Sequence, residues 1–98
     1  MTEDNDKVDF IRILKGKKNG GELHSWCLRD IPDDDGTILG QIAYGWKNGH
    51  KTWRTSAVVK VHETGGPHKI LETRNTFYTL VGQEATEDER QVLYRVVF

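Results

Sequence analysis

The stretch Trp46-Lys47-Asn48-Gly49-His50-Lys51-Thr52-Trp53 decides how the rest of the chain is read. An Asn-Gly pair between apolar runs is the strongest short-range hairpin signal, because both central positions of a type I′ turn need positive φ. With Asn48 and Gly49 in those positions, Lys47 pairs with His50 and the register follows by counting outward. Trp46 then faces Lys51, Tyr44 faces Trp53, and Ile42 faces Thr55. One face carries Ile42, Tyr44, Trp46, Trp53, Thr55, Ala57 and Val59. The other carries Gln41, Ala43, Gly45, Thr52, Arg54 and Ser56. This separation into an apolar and a polar face suits an antiparallel pair with one side on a core. It predicts a strand over residues 37–46 and another over residues 52–62.

Outward from the hairpin, the same alternation predicts more strands. Residues 22–29 (ELHSWCLR) put Leu23, Ser25 and Cys27 on one face and His24, Trp26 and Leu28 on the other. Residues 8–14 (VDFIRIL) are a further strand candidate, residues 1–7 a flexible tail, and residues 15–21 a Gly- and Lys-rich flexible turn. Pro32 and the Asp35-Gly36 pair make residues 31–36 a loop, and residues 63–67 are another. Residues 68–73 and 76–81 form a second hairpin about Arg74-Asn75, with Leu71 facing Tyr78 and Glu72 facing Phe77. Thr86-Glu87-Asp88-Glu89 has the form of a capping box, and Val92, Leu93, Val96 and Val97 follow at helical spacing, so a short helix starts near Glu87. The rival is a terminal strand over residues 91–98, favoured by their β-propensity. The expected fold is a single domain over residues 1–98, mainly β or α+β. It is a small antiparallel curved sheet or barrel of five to six strands, with one short C-terminal helix as the alternative ending.

Composition narrows the function. Charged residues make up 30% of the 98 residues, yet the formal net charge is −1. Bulk counterion release onto a general nucleic-acid binder needs a cationic excess that this chain lacks. The single cysteine, Cys27, precludes an intramolecular disulfide and fits a reducing compartment. No apolar run reaches the ~18–20 residues of a membrane helix. Residues 1–6 are acidic and polar, without the form of a signal peptide. The expected location is the cytoplasm, with no membrane partner.

No motif for catalysis or cofactors emerges. His24 and Cys27 form an H-x-x-C, but strand alternation points them to opposite faces and no second cysteine completes a zinc set. Asp33-Asp34-Asp35-Gly36 lacks the alternating ligands and terminal Glu of a calcium loop. There is no Gly-x-Ser-x-Gly elbow, P-loop or dinucleotide fingerprint, and Cys27 sits among apolar neighbours that favour a neutral thiol. The expectation is a non-enzyme without metal or cofactor. Binding residues come from the aromatic and cationic set: Tyr44, Trp46, His50, Trp53, Arg54, Arg74 and Tyr78. Trp, Tyr and Arg are the common anchors of protein interfaces. Tyr44, Trp46, Trp53 and Arg54, with Lys47, His50 and Lys51 nearby, also suit stacking on single-stranded nucleic acid. A small-ligand site or cryptic enzyme is the third class. An unpaired edge strand would also allow a homodimer.

Residues 45–82 resemble a layout of small bacterial and phage accessory proteins: a Trp-containing Gly-turn hairpin, then Thr-Ser-x-Val, then a Thr-x-Asn/Ser-x-x-Tyr-x-Leu hairpin. Trp46, Gly49, Thr55, Ser56, Val58, Thr73, Asn75, Tyr78 and Leu80 carry the likeness. It implies an accessory protein of phages, plasmids or integron cassettes. By analogy of size and setting, it implies one that binds a host protein, such as an inhibitor of a host defence system.

Overall fold

The computed structural model describes residues 16–96. The strand candidate at 8–14 and the tail at 1–7 lie outside them. Six strands, β1 (Lys18–Pro32), β2 (Ile38–Lys47), β3 (Lys51–Arg54), β4 (Val58–Glu63), β5 (Lys69–Thr73) and β6 (Thr76–Val81), form one sheet. The helix α1 (Glu87–Val96) follows. The sheet order is β3-β2-β1-β6-β5-β4. Each half is an antiparallel meander of sequence neighbours, and the two are joined by β1 and β6 running parallel at the centre. The sheet is therefore mixed rather than antiparallel. It is also open: β3 and β4 stand at opposite edges without pairing, so the barrel expectation is corrected.

The sheet nevertheless curls strongly. One cluster on its inner face takes Leu23, Trp26, Ala43, Leu71, Tyr78 and Leu80, with Leu28, Trp53, Val58 and Val61 packed against it. Those residues come from every strand, including both edges, and no separate layer supplies them. The outer face of β1 and β2 carries a second cluster, Cys27, Tyr44, Ala85 and Leu93, flanked by Ile42, Trp46 and Tyr94. Here α1 is the covering layer.

The C-terminal choice resolves to helix through its first turn. Thr86 Oγ1 accepts from the Glu89 amide at 3.3 Å, and Glu89 Oε1 accepts from the Thr86 amide at 2.9 Å. This reciprocal box satisfies donors that a helix start leaves open. The second hairpin forms as expected, with Leu71 opposite Tyr78 and Glu72 opposite Phe77.

Three features of the first meander depart from simple alternation. The Asn48-Gly49 turn forms, with φ of 52° and 77° and the His50 amide donating to Lys47 O at 3.1 Å. But His50 stays out of the ladder, so Lys47 pairs with Lys51, Trp46 with Thr52, Gly45 with Trp53, and Tyr44 with Arg54. That one-residue slip turns Trp53 away from Tyr44 and onto the opposite face. In β1, a bulge places Ser25 and Trp26 against the single residue Gly45, with Ser25 at φ 47°. The phase reverses there: Leu23, Trp26 and Leu28 share the inner face, while His24 and Cys27 share the outer one. A Cβ on Gly45 would lie 3.1 Å from Leu23 Cβ and 3.2 Å from His24 O, so the bulge fits closely over this glycine.

The expected strand over residues 52–62 is two strands. Its break is Thr55, 4% exposed, whose amide donates to Ala43 O at 2.9 Å. Its hydroxyl accepts from the Ala43 amide at 3.0 Å and donates to Ser56 O at 2.8 Å. A side chain thus takes a ladder position, the chain leaves β2, and β4 crosses to the far edge. At the other end, β1 reaches back through the expected turn to Lys18, whose amide donates to Asn75 O at 3.1 Å.

Candidate functional site

The seven expected binding residues fall into three groups. Tyr44 and Trp46 are on the outer face beneath α1. Tyr44 is fully buried and meets the Tyr94 ring edge-on, with centroids 5.2 Å apart at 74°. Trp46 is half-buried against the same cluster. Trp53 and Tyr78 are on the inner face, where Trp53 Nε1 donates to the Tyr78 hydroxyl at 3.3 Å. His50, Arg54 and Arg74 are exposed, Arg74 in the β5–β6 turn. The aromatic residues therefore anchor two cores instead of making one platform.

The register that separates the aromatics brings cations together. Lys47 and Lys51 are paired across the hairpin on the face that Trp53 occupies. Lys47 Nζ lies 3.9 Å from the centroid of the Trp53 ring and Lys51 Nζ 5.5 Å. An ammonium over an indole face gains about 0.5–1 kcal/mol at an exposed site. His50 is exposed in the turn next to them, whereas Arg54, paired with Tyr44, is exposed on the opposite face. The hairpin is fixed to β1 at Asn48, whose amide donates to Glu22 O at 2.7 Å and whose Oδ1 accepts from the Glu22 amide at 3.0 Å. Residues 36–62 contain no Asp or Glu and hold Lys47, Lys51, Arg54 and Lys60. The neutral whole-chain charge conceals this segregation.

A polar cluster not anticipated from the sequence lies at β4 and β5. Glu72 accepts from Lys17 Nζ on one carboxylate oxygen and meets His62 Nε2 at 2.8 Å on the other. Lys17 Nζ also donates to Thr73 O at 2.7 Å. The Lys17 hydrogen bond, against the opposing effect of burial, holds the Glu72 carboxyl below its usual range, with His62 adding to the shift. With both oxygens engaged, the group is held charged rather than poised to take a proton. The only signal in the sequence was a glutamate on a strand with apolar neighbours, which periodicity alone leaves unpartnered.

His24 and Cys27 share a face after all, because of the bulge, yet they do not make a metal pair. His24 Nε2 contacts Glu22 Oε1 at 3.2 Å. Cys27 is buried, and burial pushes its thiol above the usual range despite the nearby Tyr94 hydroxyl. Tyr94 is raised as well, by its own burial and then by Cys27. Among the described residues no group of three His, Cys, Asp or Glu side chains is placed to hold a metal ion. No helix among them is long and apolar enough to cross a membrane.

The chain matches no family model, no curated protein and no solved structure.

Proposed function

We infer that this chain is a non-enzymatic accessory protein that acts by binding another protein through the cationic end of the β2–β3 hairpin. Its sharpest form is an inhibitor of a host defence system, carried on a mobile element and acting in the cytoplasm. That setting rests on the resemblance over residues 45–82. The observation that supports a binding site is the acid-free segment 36–62, with Lys47 and Lys51 over Trp53, His50 exposed in the turn, and Arg54 exposed on the other face of the hairpin. Such a surface complements an acidic protein partner and speeds its encounter.

The rival is single-stranded nucleic acid on the same cations. Stacking needs an open aromatic face. Trp53 is half-buried with an ammonium over its ring, and Tyr44 is enclosed, which favours the protein partner. The test is capture from host lysate with tagged protein, at two salt concentrations, with and without nuclease. A stoichiometric protein that survives nuclease and is lost with Lys47→Glu/Lys51→Glu supports the assignment. Nucleic acid that elutes at high salt overturns it, as does turnover of a substrate by the purified chain.

A further inference from the structure

Among the described residues, one length of the sheet is a two-stranded ribbon. β1 pairs with β6 only as far as His24, and β2 pairs with β3 only as far as Tyr44. Beyond these points β1 and β2 continue together through Leu28–Ala43, Arg29–Ile42, Asp30–Gln41, Ile31–Gly40 and Pro32–Ile38. On the outer side of β2, Thr55 occupies both the amide and the carbonyl of Ala43. By the two-residue alternation of an antiparallel strand, the Gln41 amide and carbonyl point the same way. No strand among the described residues takes that side of residues 38–42.

This edge carries a register irregularity at Leu39, between the Ile31–Gly40 and Pro32–Ile38 pairs, but lacks the charges that blunt the others. β3 ends in Lys51 and Arg54, and β4 carries Lys60, His62 and Glu63. Residues 38–42 (ILGQI) have no charge and no proline. They hold Ile38 and Leu39, exposed by 51% and 69%. A two-stranded ribbon is marginal in water by itself, and an uncharged open edge is a template for pairing.

Charge selects what pairs there. Residues 30–35 hold four aspartates and no cation, residues 36–46 hold no charge, and residues 47–54 hold Lys47, Lys51 and Arg54 without an acid. β2 thus runs from a negative end to a positive end. A second copy laid parallel sets like charges together; laid antiparallel, it sets opposite charges together twice.

We propose that residues 38–42 of β2 pair antiparallel with the same residues of a second copy, about a two-fold axis at Gly40, to join two sheets into one. Ile38 then faces Ile42 across the axis. The aspartate turn of each copy comes to the end of the other's β3, at Arg54. An isologous contact of this kind closes on itself and stops at two. It is a property of the purified chain and stands or falls independently of any host partner.

The test is sedimentation equilibrium of the purified protein at low and high salt. The wild type is expected to dimerise, more weakly at high salt. Leu39→Lys, on an exposed side chain, is expected to raise the dissociation constant about tenfold or more, with an unchanged thermal midpoint at concentrations below the wild-type dissociation constant. Asp34→Lys/Asp35→Lys and Arg54→Glu each weaken the dimer, and mixing these two variants restores a heterodimer. A wild type that remains monomeric at millimolar concentration overturns the proposal. So does a dimer indifferent to Leu39→Lys, or a mixture with no recovery.

Discussion

Replacing Thr55 with valine isolates the interaction that divides the first meander from the second. The shape is nearly kept and only the hydroxyl is lost. Two hydrogen bonds go with it: the one accepted from the Ala43 amide at 3.0 Å and the one donated to Ser56 O at 2.8 Å. They are unequal in consequence. Ser56 is exposed, so water takes over at its carbonyl. Ala43 is fully buried, and its amide is left without an acceptor. Stranding one buried donor costs about 1–3 kcal/mol, so Thr55→Val is expected to lose about 2 kcal/mol. For a domain of this size that lowers Tm by roughly 8–16 °C and the urea midpoint by about 1–2 M. Thr55→Ser keeps both hydrogen bonds and loses one methyl, about 0.8 kcal/mol. Urea melts followed by tryptophan fluorescence, with circular dichroism as a second probe, measure all three proteins. A valine variant as stable as the serine variant would refute the assignment of Thr55 as the capping side chain of β2.

Gly45→Ala sets a methyl against Leu23 Cβ and the His24 carbonyl under the β1 bulge, and is expected to cost about 1–3 kcal/mol in the same melts; a neutral result would mean that the bulge is loosely seated. Thr86→Ala removes half of the capping box and should lower stability by about 1 kcal/mol, with Thr86→Ser recovering most of it. Glu72 is held below its unfolded pKa by Lys17 and His62, so its contribution is complete above the unfolded value of ~4.3 and is lost as pH falls through the lower folded value. Glu72→Gln is therefore expected to be less stable than wild type at pH 7 and to show a shallower loss of stability below pH ~5; identical acid limbs in urea melts at pH 7, 5, 4 and 3 would contradict this.

What the sequence made legible was local. The Leu71–Tyr78 hairpin depends on a two-residue turn and the Thr86–Glu89 box on residues three apart, and both formed with the expected partners. What it hid were single-residue offsets. His50 outside the ladder and the extra residue at Ser25 each shift the register by one position, and Thr55 ends the β2–β3 pairing without shifting it. In a period of two, one position reverses every face beyond it. Hence Trp53 left Tyr44, His24 joined Cys27, and the aromatic platform dissolved. The parallel β1–β6 contact was hidden for a different reason: no local pattern distinguishes a strand's second neighbour. The basic rim was visible as composition over residues 36–62 but not as a site until the register set Lys47 and Lys51 over one ring.

The central β1–β6 contact also sets the order of assembly. Each meander closes by short turns, whereas residue 18 must find residue 76 across most of the described chain. Neither meander owns a core: Leu23, Trp26 and Ala43 come from the first, and Leu71, Tyr78 and Leu80 from the second. Formed alone, each presents half of an apolar interior to water. By contact order, the meeting of the two halves is expected to be the slow step. During synthesis, which proceeds from the N-terminus, the first half waits with its apolar face uncovered until β6 has left the ribosome.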